Sequence, residues 1–115
     1  MESLEFAHIL VDSILDKKGG DIVLLDLREQ TVFADYFLIC SGENDRQIRA
    51  LAESVRTEAK QEAGIIASGI EGVPEAGWIL IDFGDLIVHV FSPDKRDYYS
   101  LEDLWADAHV VLRMQ

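Results

Sequence analysis

Two apolar runs separated by two turn residues, Trp78–Phe83 and Leu86–Phe91 around Gly84-Asp85, restrict the fold more than any other stretch of the chain. A two-residue connection makes the strands pair antiparallel, and a leading glycine suits a type I′ or II′ turn. The loop then sets the register, with Phe83 opposite Leu86, Ile81 opposite Val88 and Ile79 opposite Val90. Cross-strand partners share a face. Ile79, Ile81, Phe83, Leu86, Val88 and Val90 therefore form one wholly apolar face, which should pack on helices. The other face pairs Asp82 with Ile87, Leu80 with His89 and Trp78 with Phe91. Large aromatics beside two ionisable groups are either covered by the chain's own Tyr98, Tyr99, Leu101 and Trp105 or offered to a partner.

The rest of the chain supplies the elements around that hairpin. Leu4, Ala7, Val11, Ile14 and Leu15 recur at helical spacing, with Ser3 as N-cap and Gly19-Gly20 as the stop. Ile22–Leu27 and Tyr36–Cys40 are nearly continuous apolar runs, as strands buried on both faces would be. After Ser41-Gly42, Asn44 and Gln47 form a capping box for a helix that runs to about residue 63, with Ile48, Leu51, Ala52, Val55 and Ala59 as its apolar stripe. Gly64 ends it. Ile65–Ile70 reads as a short strand, Gly72–Gly77 as a loop, and the tail from Asp94 as helical or irregular. The expectation is one α/β domain over residues 1–115, with a mixed five-stranded sheet, packed helices and an antiparallel hairpin near its C-terminus. The second and third strands, joined through the long helix, are expected to run parallel.

Ten Lys and Arg stand against 22 Asp and Glu, a net charge of −12. Nucleic-acid binding draws most of its affinity from cations that neutralise phosphates, and no basic stretch exists for it. The acidity fits either solubility or a basic protein partner. No apolar run is long enough to cross a bilayer. The N-terminus is acidic where a signal peptide would be basic and lacks the Arg and Ser of a transit peptide, so a cytoplasmic protein is expected. The lone Cys40, mid-strand among apolar neighbours, reads as an inert core residue.

The sequence holds no catalytic constellation. Ser41-Gly42 occupies the strand-to-helix position of a phosphate loop, but neither glycine-rich phosphate motif is present, and Glu43 and Asp45 would repel an anion. Asp82, Asp85 and His89 do not share a register position, and His8 and His109 have no ligand spacing around them. No cofactor and no metal are expected.

Five segments resemble the Iojap, or ribosomal silencing factor, family. They are Ala34–Gly42 (ADYFLICSG), Arg46–Ala52 (RQIRALA), Ile70-Glu71-Gly72, Gly77–Phe91 (GWILIDFGDLIVHVF) and Arg96–Trp105 (RDYYSLEDLW), and the likeness extends over about residues 2–108. Glu43-Asn44-Asp45 departs from the Thr or Ser frequent among relatives. The resemblance implies a nucleotidyltransferase-like topology without catalysis. It also implies a factor that binds the large ribosomal subunit through ribosomal protein L-fourteen and blocks joining of the small subunit. On that reading the partner surface comprises Glu71, Trp78, Leu80, Asp82 and His89 from the hairpin region, with Tyr98, Tyr99, Leu101 and Glu102 from the tail. Two alternatives are a divergent nucleotidyltransferase-like enzyme using the Ser41-Gly42 loop, and a homodimer formed through the hairpin face.

Overall fold

A computed structural model describes residues Met1–Gln115. The order is α1 (Ser3–Asp16), β1 (Gly20–Asp26), β2 (Tyr36–Ser41), α2 (Asp45–Ala63), β3 (Gly69–Val73), a 3-10 turn at Pro74–Ala76, β4 (Trp78–Asp82), β5 (Leu86–Phe91), α3 (Pro93–Tyr99), α4 (Leu101–Leu104) and β6 (His109–Met114). It is a single α/β domain with one mixed sheet in the strand order β3-β4-β5-β2-β1-β6.

The hairpin has the register its turn dictates: Trp78 opposite Phe91, Ile79 opposite Val90, Leu80 opposite His89, Ile81 opposite Val88 and Asp82 opposite Ile87. Gly84 has φ +92. A positive φ at the first central position is the type II′ requirement. The Asp82 carboxylate accepts the Gly84 N–H at 2.7 Å and closes the turn.

The sheet has six strands rather than five. His109–Met114, expected to be helical or irregular, pairs antiparallel with β1. Strands β2 and β3 do run in the same direction, but they are not neighbours: β2 pairs parallel with β5, and β4 lies between β5 and β3. The third strand also begins later than the apolar run of 65–70 implies, because Glu71, Gly72 and Val73 supply the backbone that pairs with Leu80, Ile79 and Trp78.

Helices α1 and α2 cover one face of the sheet. The larger core joins Phe6, Leu10, Ile14, Leu51 and Val55 to the apolar hairpin face, including Ile79, Ile81, Val88 and Val90. Phe83 packs at its margin, edge-on to Phe6 at 5.1 Å. Ser3 begins α1 without capping it; Glu2 holds the N-cap position and makes no side-chain bond. Helix α2 is capped as expected, with Asn44 Oδ1 accepting the Gln47 N–H at 2.8 Å and Gly64 in the left-handed region after its last turn. No helix is long and apolar enough to cross a membrane.

Candidate docking face

The face of the sheet opposite α1 and α2 carries the candidate residues in register rows. One row runs Glu71, Leu80, His89, Ile39, Val23, Arg113 from edge to edge. The next runs Val73, Trp78, Phe91, Ser41. Two-residue alternation along each strand puts all of these on one side.

The tail covers part of this face. Val23, Leu25, Leu27, Ile39, Phe91 and Ala108 form a second buried core, flanked by Phe37, Trp78, Leu101 and Trp105. Trp105 lies edge-on to Phe37 at 6.1 Å, and Tyr99 lies over Trp78 at 4.3 Å. The half built from β1, β2 and β5 is closed. The half built from β3 and β4 stays open, with Glu71 and Val73 exposed and Leu80 and Asp82 half-buried. Trp78 stands at the boundary, half-buried. Beside it α3 presents Tyr98, exposed, and the more sheltered Tyr99. Lys95 Nζ sits 5.5 Å from the centre of the Tyr98 ring.

The geometry corrects the expectation that His89, placed by register on the mixed hairpin face, meets a partner directly. It is 3% exposed. The ring lies between Phe37 at 4.6 Å, Phe91 at 5.9 Å and Trp78 at 5.9 Å. Trp78 Nε1–H donates to His89 Nδ1 at 3.1 Å. An indole can only donate, so Nδ1 is the acceptor and the ring proton sits on Nε2, which has no partner. Burial lowers the pKa of the imidazole to about 4, since a charged ring would lose its hydration. His89 thus bears on the surface through Trp78, whose indole orientation it fixes.

Glu102 and Leu101 are likewise engaged within the chain. Arg96 is buried, with its Nε donating to Glu102 Oε1 at 2.9 Å and its Nη1 donating to Ser41 Oγ at 2.9 Å. One guanidinium therefore ties α3, α4 and the end of β2 together, and Leu101 is half-buried against the second core. Sequence reasoning overlooked Arg96 as an organiser. Its signal was a pair of adjacent cations, Lys95-Arg96, at the head of an acidic tail and just before the two tyrosines. Val73 was overlooked because Gly72–Gly77 reads as loop.

The Ser41-Gly42 loop has its groups occupied by the fold. The Ser41 hydroxyl accepts from Arg96, the Gly42 N–H donates to Phe91 O at 2.8 Å, and the Glu43 N–H donates to Gln47 Oε1 at 2.7 Å. Gln47 Nε2 reaches back to the carbonyls of Lys17 and Lys18. No three His, Cys, Asp or Glu side chains lie close enough together to hold a metal ion. Cys40 is fully buried, which raises its thiol pKa to about 12 and leaves it protonated.

Comparison with known proteins agrees with this fold. The family model described as "Ribosomal silencing factor during starvation" matches residues 1–115. The ribosomal silencing factor RsfS of Halalkalibacterium halodurans is 42% identical over 111 residues, 96% of this chain and 94% of that one. The protein of the same name from Bacillus subtilis is 48% identical over 93 residues, 81% of this chain and 78% of that one. A crystal structure of a Chromobacterium violaceum protein superposes with a TM-score of 0.87 at 40% identity, covering 92% of this chain and 88% of the other. The chain therefore belongs to the ribosomal silencing factor family, a family of translation regulators rather than enzymes.

Proposed function

We propose that the open half of the sheet face is the ribosome-docking surface. Through it the protein binds the large ribosomal subunit at the basic ribosomal protein L-fourteen, and its bulk then blocks joining of the small subunit in the bacterial cytoplasm. The observation that carries this reading is the strip of Glu71, Val73, Leu80 and Asp82, bordered by the half-buried Trp78 and continued by Tyr98 and Tyr99, which the tail leaves open while it seals the rest of the same face. Aromatic anchors supply desolvated contact area. The carboxylates of Glu71 and Asp82, on a molecule of net charge −12, suit Lys and Arg on the partner. Glu102 contributes by holding Arg96 and so the helix that carries the tyrosines, and Leu101 by seating that helix on the second core.

Truncating a central aromatic anchor costs about 2 kcal/mol or more, which is a loss of roughly 30-fold in affinity. Trp78→Ala and Tyr98→Ala are each expected to weaken co-sedimentation with purified large subunits by at least tenfold. Both should also restore subunit joining followed by light scattering. Tyr98 lies outside both cores, so its variant should melt as wild type does. Wild-type binding by both variants would exclude this surface.

A further inference from the structure

The connection between β1 and β2 exposes a pair of large apolar side chains that neither core uses. Val32 is 97% exposed and Phe33 88%. Single exposed hydrophobes are ordinary on a protein surface, but two adjacent ones at almost full exposure add nothing to folding and invite association. The turn that carries them is pinned rather than loose. The Leu27 N–H donates to Asp35 O at 2.8 Å and the Thr31 N–H to Leu27 O at 3.1 Å. The N–H groups of Asp35 and Tyr36 both donate to Asp85 O, at 2.8 and 3.0 Å, which ties the turn to the hairpin loop. The Phe33 N–H donates to Thr31 Oγ1 at 3.2 Å. An anchor held in place before binding loses less entropy when it docks.

The charge around the pair narrows what it can meet. Arg28 is the one cation between Lys18 and Arg46, and Asp26 already binds it through both carboxylate oxygens. That leaves Glu29, Asp35 and Asp85 uncompensated beside the turn. The phosphates of RNA or of an anionic membrane would be repelled, and a second copy of the chain would bring the same carboxylates. We infer that Val32–Phe33 is a second docking element, a knob that enters an apolar pocket rimmed by Lys and Arg on a protein of the large ribosomal subunit. The inference rests on the function proposed above and extends the contact to the opposite end of the hairpin from Trp78 and Tyr98.

The test is equilibrium co-sedimentation of the full chain with purified large subunits, comparing wild type with Val32→Ser/Phe33→Ser, Glu29→Lys/Asp85→Lys and Leu80→Glu. The knob pair should bind at least tenfold more weakly with an unchanged melting temperature. The charge-reversed pair should lose at least threefold at low salt and less at high salt. Wild-type affinity of the knob pair, with Leu80→Glu impaired, would overturn the knob and leave the proposed function standing. Failure of wild type itself to bind would overturn both. A drop of more than about 5 °C in the melting temperature of the knob pair would show a structural role instead, since such a shift is about 1 kcal/mol in a domain of this size. Adhesion of wild type, but not the knob pair, to phosphatidylcholine–phosphatidylglycerol vesicles would make a membrane the occupant and would also overturn the inference.

Discussion

A histidine held neutral between Phe37, Trp78 and Phe91 gives this domain an acid-sensitive point. Above pH of about 6.5 the imidazole is neutral in both folded and unfolded chains. Below that, the unfolded chain takes up a proton that the folded chain refuses until about pH 4. Stability is therefore complete above pH of about 6.5 and is lost as the pH falls towards 4. The loss attributable to His89 between pH 7 and pH 5 is about 2 kcal/mol. Urea denaturation at the two pH values should show it, and His89→Phe should remove it. At pH 7 the same variant should be about 1–3 kcal/mol less stable, because it leaves the Trp78 N–H without an acceptor. The burial of His89 was not legible in the sequence. Register alone puts it on the same face as Trp78, and polarity then argues for exposure. Only the contact between indole and imidazole reverses that argument.

At the scale of elements, the edge strand β3 owes its place to one glycine. Gly72 has φ +88, and a Cβ added there would lie 2.1 Å from the carbonyl oxygen of Trp78. No side chain fits without moving β3 away from β4. Gly72→Ala is expected to cost about 3 kcal/mol, read by chemical denaturation. Because Glu71 and Val73 move with it, docking should weaken too. Arg96 plays the matching part for the tail. Arg96→Leu would strand Glu102 and Ser41, and should cost about 2 kcal/mol, less than a fully buried pair because Glu102 keeps some solvent. Faster amide exchange over residues 93–105 is the accompanying signature. The hairpin was legible because alternation and a two-residue turn specify it locally, and α2 was legible through its cap, stripe and terminal glycine. Strand β6 was not. Leu101, Leu104 and Trp105 have helical spacing, and a bulge at Val111, where Leu24 and Leu25 face Leu112 and Val110, interrupts the alternation that would mark a strand. Neighbour order was not legible either, since nothing local to β2 says that its parallel partner is β5 rather than β3.

Over the whole molecule, the net charge of −12 acts at distances that no single contact reaches. It should draw the domain to a basic protein surface faster than diffusion alone, and salt screens that attraction over about 10 Å at 0.1 M. Raising NaCl from 50 to 500 mM should slow association with large subunits by at least tenfold, while dissociation changes much less. A salt-independent association rate, measured by stopped flow, would show that the acidity serves solubility only. Composition made this property readable in advance. Which half of the sheet face stays open was not readable, because it depends on how far the tail reaches across β1, β2 and β5.

The pairing of β6 with β1 also sets a timetable. Val23 waits for Arg113, about ninety residues further along the chain, before its strand is enclosed on both edges. Closing so long a loop is slow. A growing polypeptide that has made α1, β1, β2 and α2 still carries β1 with one bare edge and with Val23, Leu25 and Leu27 uncovered. A regulator of ribosomes thus passes most of its own synthesis as an unfinished sheet, and translation must run through the last strand before the domain can close.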